Sequence, residues 1–444
     1  MTDTDIAIVG GGIAGVTLAI GLLKRGINVK IYEQAPNFAE IGAGVSFGAN
    51  AARAMDTIGG GVKEAYQKVF TPNASTENGE IWFNFVDGYH DNKEAGKDQE
   101  KWLFKLISPR GGGGVHRAHF LDELIKAVPD GVAIFNKRLE TCIELNDGKM
   151  ELCFHDGSTA RHDAVIGCDG IKSRVRAILV GEANLQARPT YCHKYAYRGL
   201  IPMENATAIL GADMAENAHM HLGPGGHILT FPVAQGKMMN VVAFRQDDSE
   251  WTDKRLTAPA HKKDAQRDYA EWHPNILAIL DMLNDDLDRW AIFDLGEHPL
   301  ASYCKGRVCL LGDAAHATSP HHGAGAGFCI EDSAVMSALI QHANTISAKR
   351  VCSVYKSLEA AFAAFDQSRR ERTQWLVQSS RITGNLYDWM DPNAGQNKDQ
   401  IYNELNERCQ YIWNADIDIF TGDAVADLDQ RVALEGGVPS KTRE

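Results

Sequence analysis

Several features that mark specialised classes of protein are missing from this sequence. Its apolar runs, such as residues 308–311, are far shorter than the ~20 residues needed to cross a bilayer. It has no excess of positive charge: 45 Lys and Arg stand against 58 Asp and Glu, so the net charge is −13. The short apolar runs argue against a membrane protein. An acidic surface repels nucleic-acid phosphates, so the composition also argues against a nucleic-acid-binding protein.

Cysteine is sparse and unpatterned. The nine cysteines are odd in number and scattered, which argues against the disulfide framework of a secreted domain. Residues 1–5 lack the pattern of a signal peptide, and residues 441–444 match no retention or peroxisomal address. We therefore expect a cytoplasmic protein. The 444 residues, 44% apolar and 23% charged, predict a globular chain of two or three domains.

The N-terminal segment carries a complete dinucleotide-binding pattern. A strand is predicted over 6–9, a helix over 13–24 and a second strand over 28–32, with a glycine fingerprint after the first strand. The first glycine allows a tight turn, the second lets a pyrophosphate approach the backbone, and the third lets helix and strand pack closely. These glycines are Gly10, Gly12 and Gly15.

An acidic residue ends the second predicted strand. Glu33 lies 18 residues after Gly15, where a carboxylate accepts hydrogen bonds from an adenosine ribose. The same carboxylate would repel a 2′-phosphate. The site therefore suits FAD or NAD rather than NADP.

Two later segments favour FAD. Asp169-Gly170 and Gly312-Asp313 each follow a predicted strand, and the glycine-rich stretch 320–327 leads into a helix. A permanently bound FAD needs such widely separated anchors, whereas a mobile nicotinamide does not. Asp313 can hold the ribitol, and backbone N–H groups around Gly325 and Ala326 can face the flavin. The alternatives are that Asp169 forms a turn and that Asp313 is an N-cap.

The fingerprint with Glu33, the Asp169-Gly170 segment and the Gly312-Asp313 segment together resemble the single-component flavoprotein aromatic hydroxylases. These are the group A monooxygenases of the para-hydroxybenzoate hydroxylase fold. The resemblance implies an α/β fold: a Rossmann-like FAD-binding domain, a β-sheet substrate domain and C-terminal helices. The expected boundaries are 1–72, 108–182 and 298–345 for FAD, 73–107 and 183–297 for substrate, and 346–444 for the helical region.

Shorter matches point to two subfamilies. Segments 40–50, 115–118, 226–233 and 320–326 resemble salicylate hydroxylase. Segments 86–90, 191–200 and 217–224 are more similar to fungal polyketide hydroxylases, including the tropolone-pathway enzyme that dearomatises a methylorcinaldehyde. The resemblance also implies that Ala43 and Arg117 contact FAD. A surface position is the alternative for Arg117.

The substrate site is expected beside alternating strands over 195–201, 219–222, 227–233 and 238–245. By resemblance, Arg198 binds a phenolate or carboxylate of the substrate, and His321 contacts the same group. The alternatives are a surface-facing arginine and a structural histidine. Phe231 stands where the tropolone-type enzyme has a tyrosine, and the glycine run 111–114 stands where some dearomatising relatives have one. The lack of both tyrosines favours salicylate-like chemistry. Arg198 keeps the dearomatising alternative open.

Other residues invite different interpretations. His219 and His221 would share one strand face, but no third ligand is evident, so no metal is expected. Cys304 and Cys309 have the C-x4-C spacing of flavin disulfide reductases, yet those enzymes place the pair early and carry a second fingerprint. We expect no redox pair. The helical pattern over 354–385 predicts a lid helix that packs on the FAD domain or on a partner subunit.

The resemblance implies a reaction. NADH or NADPH would reduce FAD, O2 would form a C4a-hydroperoxide, and a phenolic ring would be hydroxylated. The preferred reaction converts salicylate to catechol with loss of CO2. The alternative is an ortho- or dearomatising hydroxylation of a resorcinol-type polyketide aldehyde. The sequence leaves open the choice of nicotinamide and the choice between a monomer and a homodimer.

Overall fold

The computed structural model describes residues 4–38, 44–74, 80–90, 101–109 and 112–435. In chain order its first elements are β1 (Asp5–Val9), α1 (Ile13–Lys24), β2 (Asn28–Tyr32), β3 (Gly44–Val45), α2 (Ala49–Ile58), α3 (Val62–Val69), β4 (Phe70–Pro72), β5 (Ile81–Asp87), β6 (Lys101–Ile107), β7 (Gly113–His116), α4 (Arg117–Ile125), β8 (Ala133–Ile134), β9 (Leu139–Glu144), β10 (Met150–Phe154), β11 (Thr159–His162), β12 (Ala164–Gly167) and α5 (Arg174–Val180). The later elements are β13 (Thr190–Pro202), α6 (Met203–Leu210), α7 (Ala212–Ala215), β14 (His219–Gly223), β15 (Gly226–Val233), β16 (Met238–Gln246), β17 (Thr257–His261), α8 (Lys262–Asp268), α9 (Pro274–Asp281), β18 (Asp286–Asp294), β19 (Cys304–Lys305), β20 (Val308–Leu310), α10 (Asp313–His316), α11 (Gly325–Ala348), α12 (Val354–Tyr387), α13 (Lys398–Trp413) and α14 (Ile417–Glu435).

A six-stranded sheet holds the N-terminal pattern. Its strand order is β19-β20-β12-β1-β2-β8, and β1 pairs in parallel with both β2 and β12. The side chains of β1 are almost entirely buried, as expected for a central parallel strand between helical layers. The predicted strand, helix and strand are confirmed, and with them the α/β class and the Rossmann-like unit.

An eight-stranded sheet forms the second layer, in the order β17-β18-β13-β16-β15-β14-β5-β6. The four predicted strands are confirmed as β13, β14, β15 and β16, although β13 begins five residues earlier than expected. The sheet also takes β5 and β6 from earlier in the chain, and β14 pairs in parallel with β5. The division into domains stays a prediction.

The C-terminal helices pack onto both layers. The predicted helix over 354–385 is confirmed as α12, which has 34 residues and contacts α11 and α14 of the same chain. Buried charges join α11 to α12: Arg369 and Arg372 of α12 pair with Glu331 of α11 at 2.6 and 2.9 Å. Throughout the described residues, every helix is too short or too polar to span a membrane.

Candidate active site

A cavity of about 1400 Å³ lies where the two large sheets meet. Ligand pockets usually measure about 300–1,000 Å³, so this one has room for a dinucleotide and a second ligand. One wall carries Gly10, Gly12, Glu33 and the turns after β12 and β20, and the other consists of side chains from β13 to β16. The lining residues include every predicted site residue within the described ranges except Gly15; Ala43 lies outside those ranges.

The glycine fingerprint leaves no room for side chains. Gly10 has a φ of +107°, and a Cβ there would lie 2.4 Å from the carbonyl oxygen of Cys168. A Cβ on Gly15 would lie 2.0 Å from the carbonyl oxygen of Gly10, so this glycine acts in packing behind the cavity. Gly12 caps α1 and lines the cavity. The bare backbone at a helix N-terminus fits a bound pyrophosphate.

Glu33 also shapes the fingerprint loop. Its Oε2 accepts a hydrogen bond from the N–H of Gly11 at 2.6 Å, and its Oε1 accepts one from the N–H of Ala35 at 2.8 Å. A carboxylate has about four acceptor positions, so two are left for ribose hydroxyls. The sequence predicted only the ribose contact.

The acids of the second and third segments differ in their surroundings. Asp169 accepts hydrogen bonds from the N–H groups of Arg174 and Val175 at 2.6 and 3.0 Å, which is the turn-forming role weighed as an alternative. Burial raises its pKa against those bonds. Asp313 is the first residue of α10, and Gly312 holds the N-cap position, so Asp313 is not the N-cap. Both acids line the cavity.

Three further predicted contacts lie at helix starts. Gly325 and Ala326 are the first two residues of α11, a helix of 24 residues, and Arg117 is the first residue of α4. All three line the cavity. The N–H groups at the start of a long helix favour electron-rich ligand atoms, which fits the edge of a flavin ring.

Sequence reasoning missed a residue that holds the Gly312 turn. Asp332 accepts hydrogen bonds from the N–H of Gly312 at 3.1 Å, from His316 Nε2 at 2.6 Å and from Arg369 Nε at 2.8 Å. Burial opposes its ionisation, but His316 and Arg369 lower the pKa of Asp332 to about 2. Two adjacent acids inside an otherwise apolar helix, Glu331 and Asp332, were the available signal.

Arg198 lies inside the cavity rather than on the outer surface. Its guanidinium lies 5.2 Å from the centre of the Trp290 ring, and its buried Nε has no hydrogen-bond partner among the described residues. Burial and the nearby charge of Arg117 lower the pKa of Arg198 to about 10. No described carboxylate pairs with it, so an anionic ligand group would remove the cost of burying this cation.

Phe231 is held on the same side of the cavity. Its ring packs edge-on against Phe83, with 6.2 Å between ring centres. A Cβ on Gly44 would lie 2.4 Å from its para carbon, and a Cβ on Gly114 would lie 2.5 Å from the ring. Only glycine at these two positions leaves room for the Phe231 ring, which forms part of an apolar wall.

Four histidines line the cavity, and three of them, His227, His321 and His322, differ in their bonding. His321 has a buried Nδ1 without a partner among the described residues, and its ring centre lies 5.2 Å from that of His227. Burial and the charge of Lys194 keep the pKa of His321 well below its usual value. His322 instead bonds to Ser379 Oγ at 2.9 Å, which makes it a structural residue.

The remaining candidates lie elsewhere. His219 and His221 are buried neighbours on β14, and the described residues contain no group of three potential metal ligands. Cys304 and Cys309 are direct partners on β19 and β20 and form no disulfide. Arg245 lies 5.2 Å from the centre of the Tyr269 ring and is partly buried, because β16 places it over an aromatic cluster.

Comparison with known proteins decides the family. Residues 135–364 match the family model of the FAD binding domain, and residues 8–40 match an NAD(P)-binding Rossmann-like domain. An FAD-dependent monooxygenase of Aspergillus niger is 45% identical over 97% of this chain and 98% of its own. The chain belongs to the group A flavoprotein aromatic hydroxylases.

Two further relatives of this hydroxylase are informative. A salicylate hydroxylase of Sarocladium schorii is 41% identical over 93% of this chain and 88% of its own. A solved salicylate hydroxylase substrate complex is 31% identical, with a TM-score of 0.81 over 95% of this chain and 98% of that one. The hydroxylase is therefore an enzyme that uses FAD, with NAD(P)H and O2 as co-substrates, as the sequence predicted.

Proposed function

We propose that this hydroxylase oxygenates a phenolic aromatic whose ionised hydroxyl or carboxylate pairs with Arg198. The observation that carries the proposal is a cation that has no carboxylate partner among the described residues and lies beside a largely apolar wall. That wall includes Trp82, Met220, Leu229, Phe231, Val242 and Phe244. A flat aromatic ring with one acidic substituent matches both parts.

Each side of the cavity has its own task. The fingerprint, Glu33, Arg117, Asp169, Asp313 and the start of α11 would hold the cofactor, together with Ala43 by resemblance. When bound, FAD supplies the electron transfer from NAD(P)H to O2 that oxygenation requires. Arg198 favours the phenolate, which makes the ring carbon more nucleophilic. His321 contacts the same substituent, and the apolar wall excludes water from the ring.

The first candidate reaction converts the salicylate anion, O2, NAD(P)H and two protons to catechol, CO2, water and NAD(P)+. Phe231 supports it, since the tropolone-type enzymes have tyrosine at this position. The salicylate hydroxylase of Sarocladium schorii and the solved salicylate hydroxylase complex add support by similarity.

The second candidate is the hydroxylation, with or without loss of aromaticity, of a resorcinol-type polyketide aldehyde. Segment 191–200, which contains Arg198, resembles the fungal polyketide hydroxylases. The apolar residues that line the cavity would accommodate a ring with carbon substituents. A relative in Monascus ruber, 46% identical over 96% of this chain, is an FAD-dependent monooxygenase of fungal origin.

The experiment is a panel of phenols with purified holoenzyme, including salicylate and 2,4-dihydroxybenzaldehyde. NADH and NADPH oxidation is measured with each phenol, and products are identified by mass. Catechol from salicylate supports the first candidate, and a product 16 mass units heavier than the aldehyde supports the second. Failure of every phenol to stimulate oxidation would refute the proposal. A cytoplasmic location and a monomeric or homodimeric state are proposed from the sequence and need fractionation and light scattering.

A further inference from the structure

A buried charge cluster lies directly behind the cavity wall. Lys194 Nζ donates to Asp388 Oδ2 at 2.6 Å and to Asn385 Oδ1 at 3.1 Å. The other oxygen of Asp388, Oδ1, is 2.6 Å from Nδ1 of His227. Asp388 and His227 have no exposed surface, and Lys194 is 5% exposed. Lys194 thus neutralises a carboxylate whose second oxygen is committed to a histidine of the cavity.

This geometry selects one form of the His227 ring. A carboxylate only accepts hydrogen bonds, so Nδ1 carries the proton and Nε2 of the neutral ring has a lone pair. Nε2 is buried and has no hydrogen-bond partner among the described residues. His316, which does not line the cavity, also has a buried nitrogen without a partner among the described residues, so it is the position of His227 at the cavity that points to a ligand. The ring lines the cavity, so a hydroxyl group of a ligand is the missing donor.

The surroundings of His227 contain few other charges. The titratable groups that face it are Asp388, Lys194, His321 and Tyr387, whose ring centre is 5.0 Å away. Burial lowers the pKa of His227, with Asp388 opposing that shift, so the ring is neutral at pH 7 and able to accept a proton. The Lys194–Asp388 pair has no net charge, so a proton gained by His227 would be stabilised mainly by the nearer Asp388 carboxylate.

We propose that Asp388, neutralised by Lys194, positions His227 to accept the proton of the substrate's hydroxyl group. The inference rests on the proposed function. In the step, the phenolic O–H bond breaks, an N–H bond forms at Nε2 of His227, and the electron pair remains on the oxygen as a phenolate paired with Arg198. The imidazolium is stabilised by Asp388, as in catalytic triads. His227 is the catalytic residue, and Asp388 and Lys194 are positioning residues.

The test uses FAD-loaded enzyme and 2,4-dihydroxybenzaldehyde, whose phenolate and phenol absorb at different wavelengths. The ionised fraction of the bound aldehyde and kcat are measured against pH for the wild type, His227→Gln and Asp388→Asn. We expect His227→Gln to lower kcat at pH 7 by about 10²-fold and Asp388→Asn by about tenfold. Both variants should recover at high pH, where the aldehyde ionises without help.

Two further variants separate positioning from folding. Asp388→Asn leaves Lys194 as a buried charge, so Lys194→Met/Asp388→Asn removes both charges and should give the same shift of the pH profile with normal FAD content. The matched control is Asp429→Asn. It breaks the ion pair between His342 Nε2 and Asp429 Oδ1, which are 2.7 Å apart and do not line the cavity, and it should leave the pH profile unchanged.

The outcomes distinguish this inference from the proposed function. If the wild type hydroxylates a phenol and the His227 and Asp388 variants keep its pH profile, the inference is wrong and the proposed function stands. If no phenol in the panel is bound or oxidised by the wild type, the proposed function fails first. A pH profile that moves in the His227 and Asp388 variants and not in Asp429→Asn supports the inference.

Discussion

At the scale of single residues, Arg198 shows which structural features a sequence pattern can predict. Its position in a strand among aromatic residues was predictable from alternation. The direction of its side chain was not, because that depends on the pairing of β13 with both β16 and β18. The alternative was a surface-facing arginine. The two possibilities differ only in whether the face of the sheet that carries Arg198 meets the cavity or the solvent. His227 and Asp388 are 161 positions apart, and local patterns give no sign of their contact.

Substitution of Arg198 should separate substrate binding from cofactor binding. A hydrogen bond to a charged group contributes about 2 kcal/mol, so Arg198→Ala should lower kcat/KM for the best phenol about 30-fold with FAD content unchanged. Arg198→Lys keeps the charge but loses the planar fork and should recover part of the activity. Steady-state kinetics and flavin absorbance measure both effects.

Arg245→Ala is the matched control for this prediction, since Arg245 also lies on a strand and over aromatic rings but outside the cavity. Its kcat/KM should equal that of the wild type. Loss of FAD from Arg198→Ala on purification would show that this arginine serves the cofactor instead.

At the scale of elements, α12 connects the parts of the site. The helix was predictable from its periodicity over 354–385. Its contacts were not: it pairs with α11 through Arg369 and Arg372, and its last turn reaches the cavity at Tyr387. These contacts join residues far apart in the chain, so they depend on packing that no local pattern records. The lid role of α12 stays a prediction.

A glycine near the end of α12 provides a test of that packing. A Cβ on Gly384 would lie 2.6 Å from Cδ2 of His321. Replacing a helix glycine by alanine normally stabilises a protein by about 0.5–1 kcal/mol, and Gly422→Ala in α14, with open space around it, should do so. Gly384→Ala should instead displace His321 and lower turnover, with FAD retained. Chemical denaturation and kcat are the measurements, and wild-type turnover in Gly384→Ala would contradict the assigned contact.

Asp332 of α11 does not line the cavity, but it should still affect FAD binding. Asp332→Asn removes the charge that holds Gly312, His316 and Arg369 together. Breaking a buried ion pair costs about 3–5 kcal/mol, and the loosened turn should raise the Kd of FAD. Asp427→Asn breaks a partly exposed pair of α14 and should cost less than about 1 kcal/mol. Equal stability of the two variants, measured by urea unfolding, would refute the role of Asp332.

At the scale of the whole molecule, the chain order of the sheets explains the limits of prediction. The N-terminal unit was predictable because its strands, helix and glycines lie within 33 residues. The eight-stranded sheet was recognisable only in part, since β5 and β6 join it from more than 80 residues before β14, across the β7–β12 region. The cavity forms only when both sheets are assembled, and its histidines come from separate layers.

This assembly makes stability depend on pH in a definite direction. Burial lowers the pKa of His227 and His321, and it lowers that of His322 to about 3. The unfolded chain, with histidine pKa values of about 6.5, therefore binds more protons than the folded chain below that pH. Stability is complete above pH ~6.5 and is lost as the pH falls, by up to about 1.4 kcal/mol per pH unit for each histidine. Burial raises the pKa of Asp169, so this residue acts in the opposite direction. It offsets at most the contribution of one of the three histidines, in the lower part of this pH range.

The measurement is urea unfolding of the holoenzyme at intervals between pH 7.5 and 5. Below pH 6.5 the wild type should lose stability steeply, whereas paired carboxylates contribute mainly below pH ~4 because their unfolded pKa values lie there. His322→Gln keeps a polar group near Ser379 and should reduce the slope by about one histidine. A flat profile down to pH 5 would mean that these rings are not buried as neutral groups.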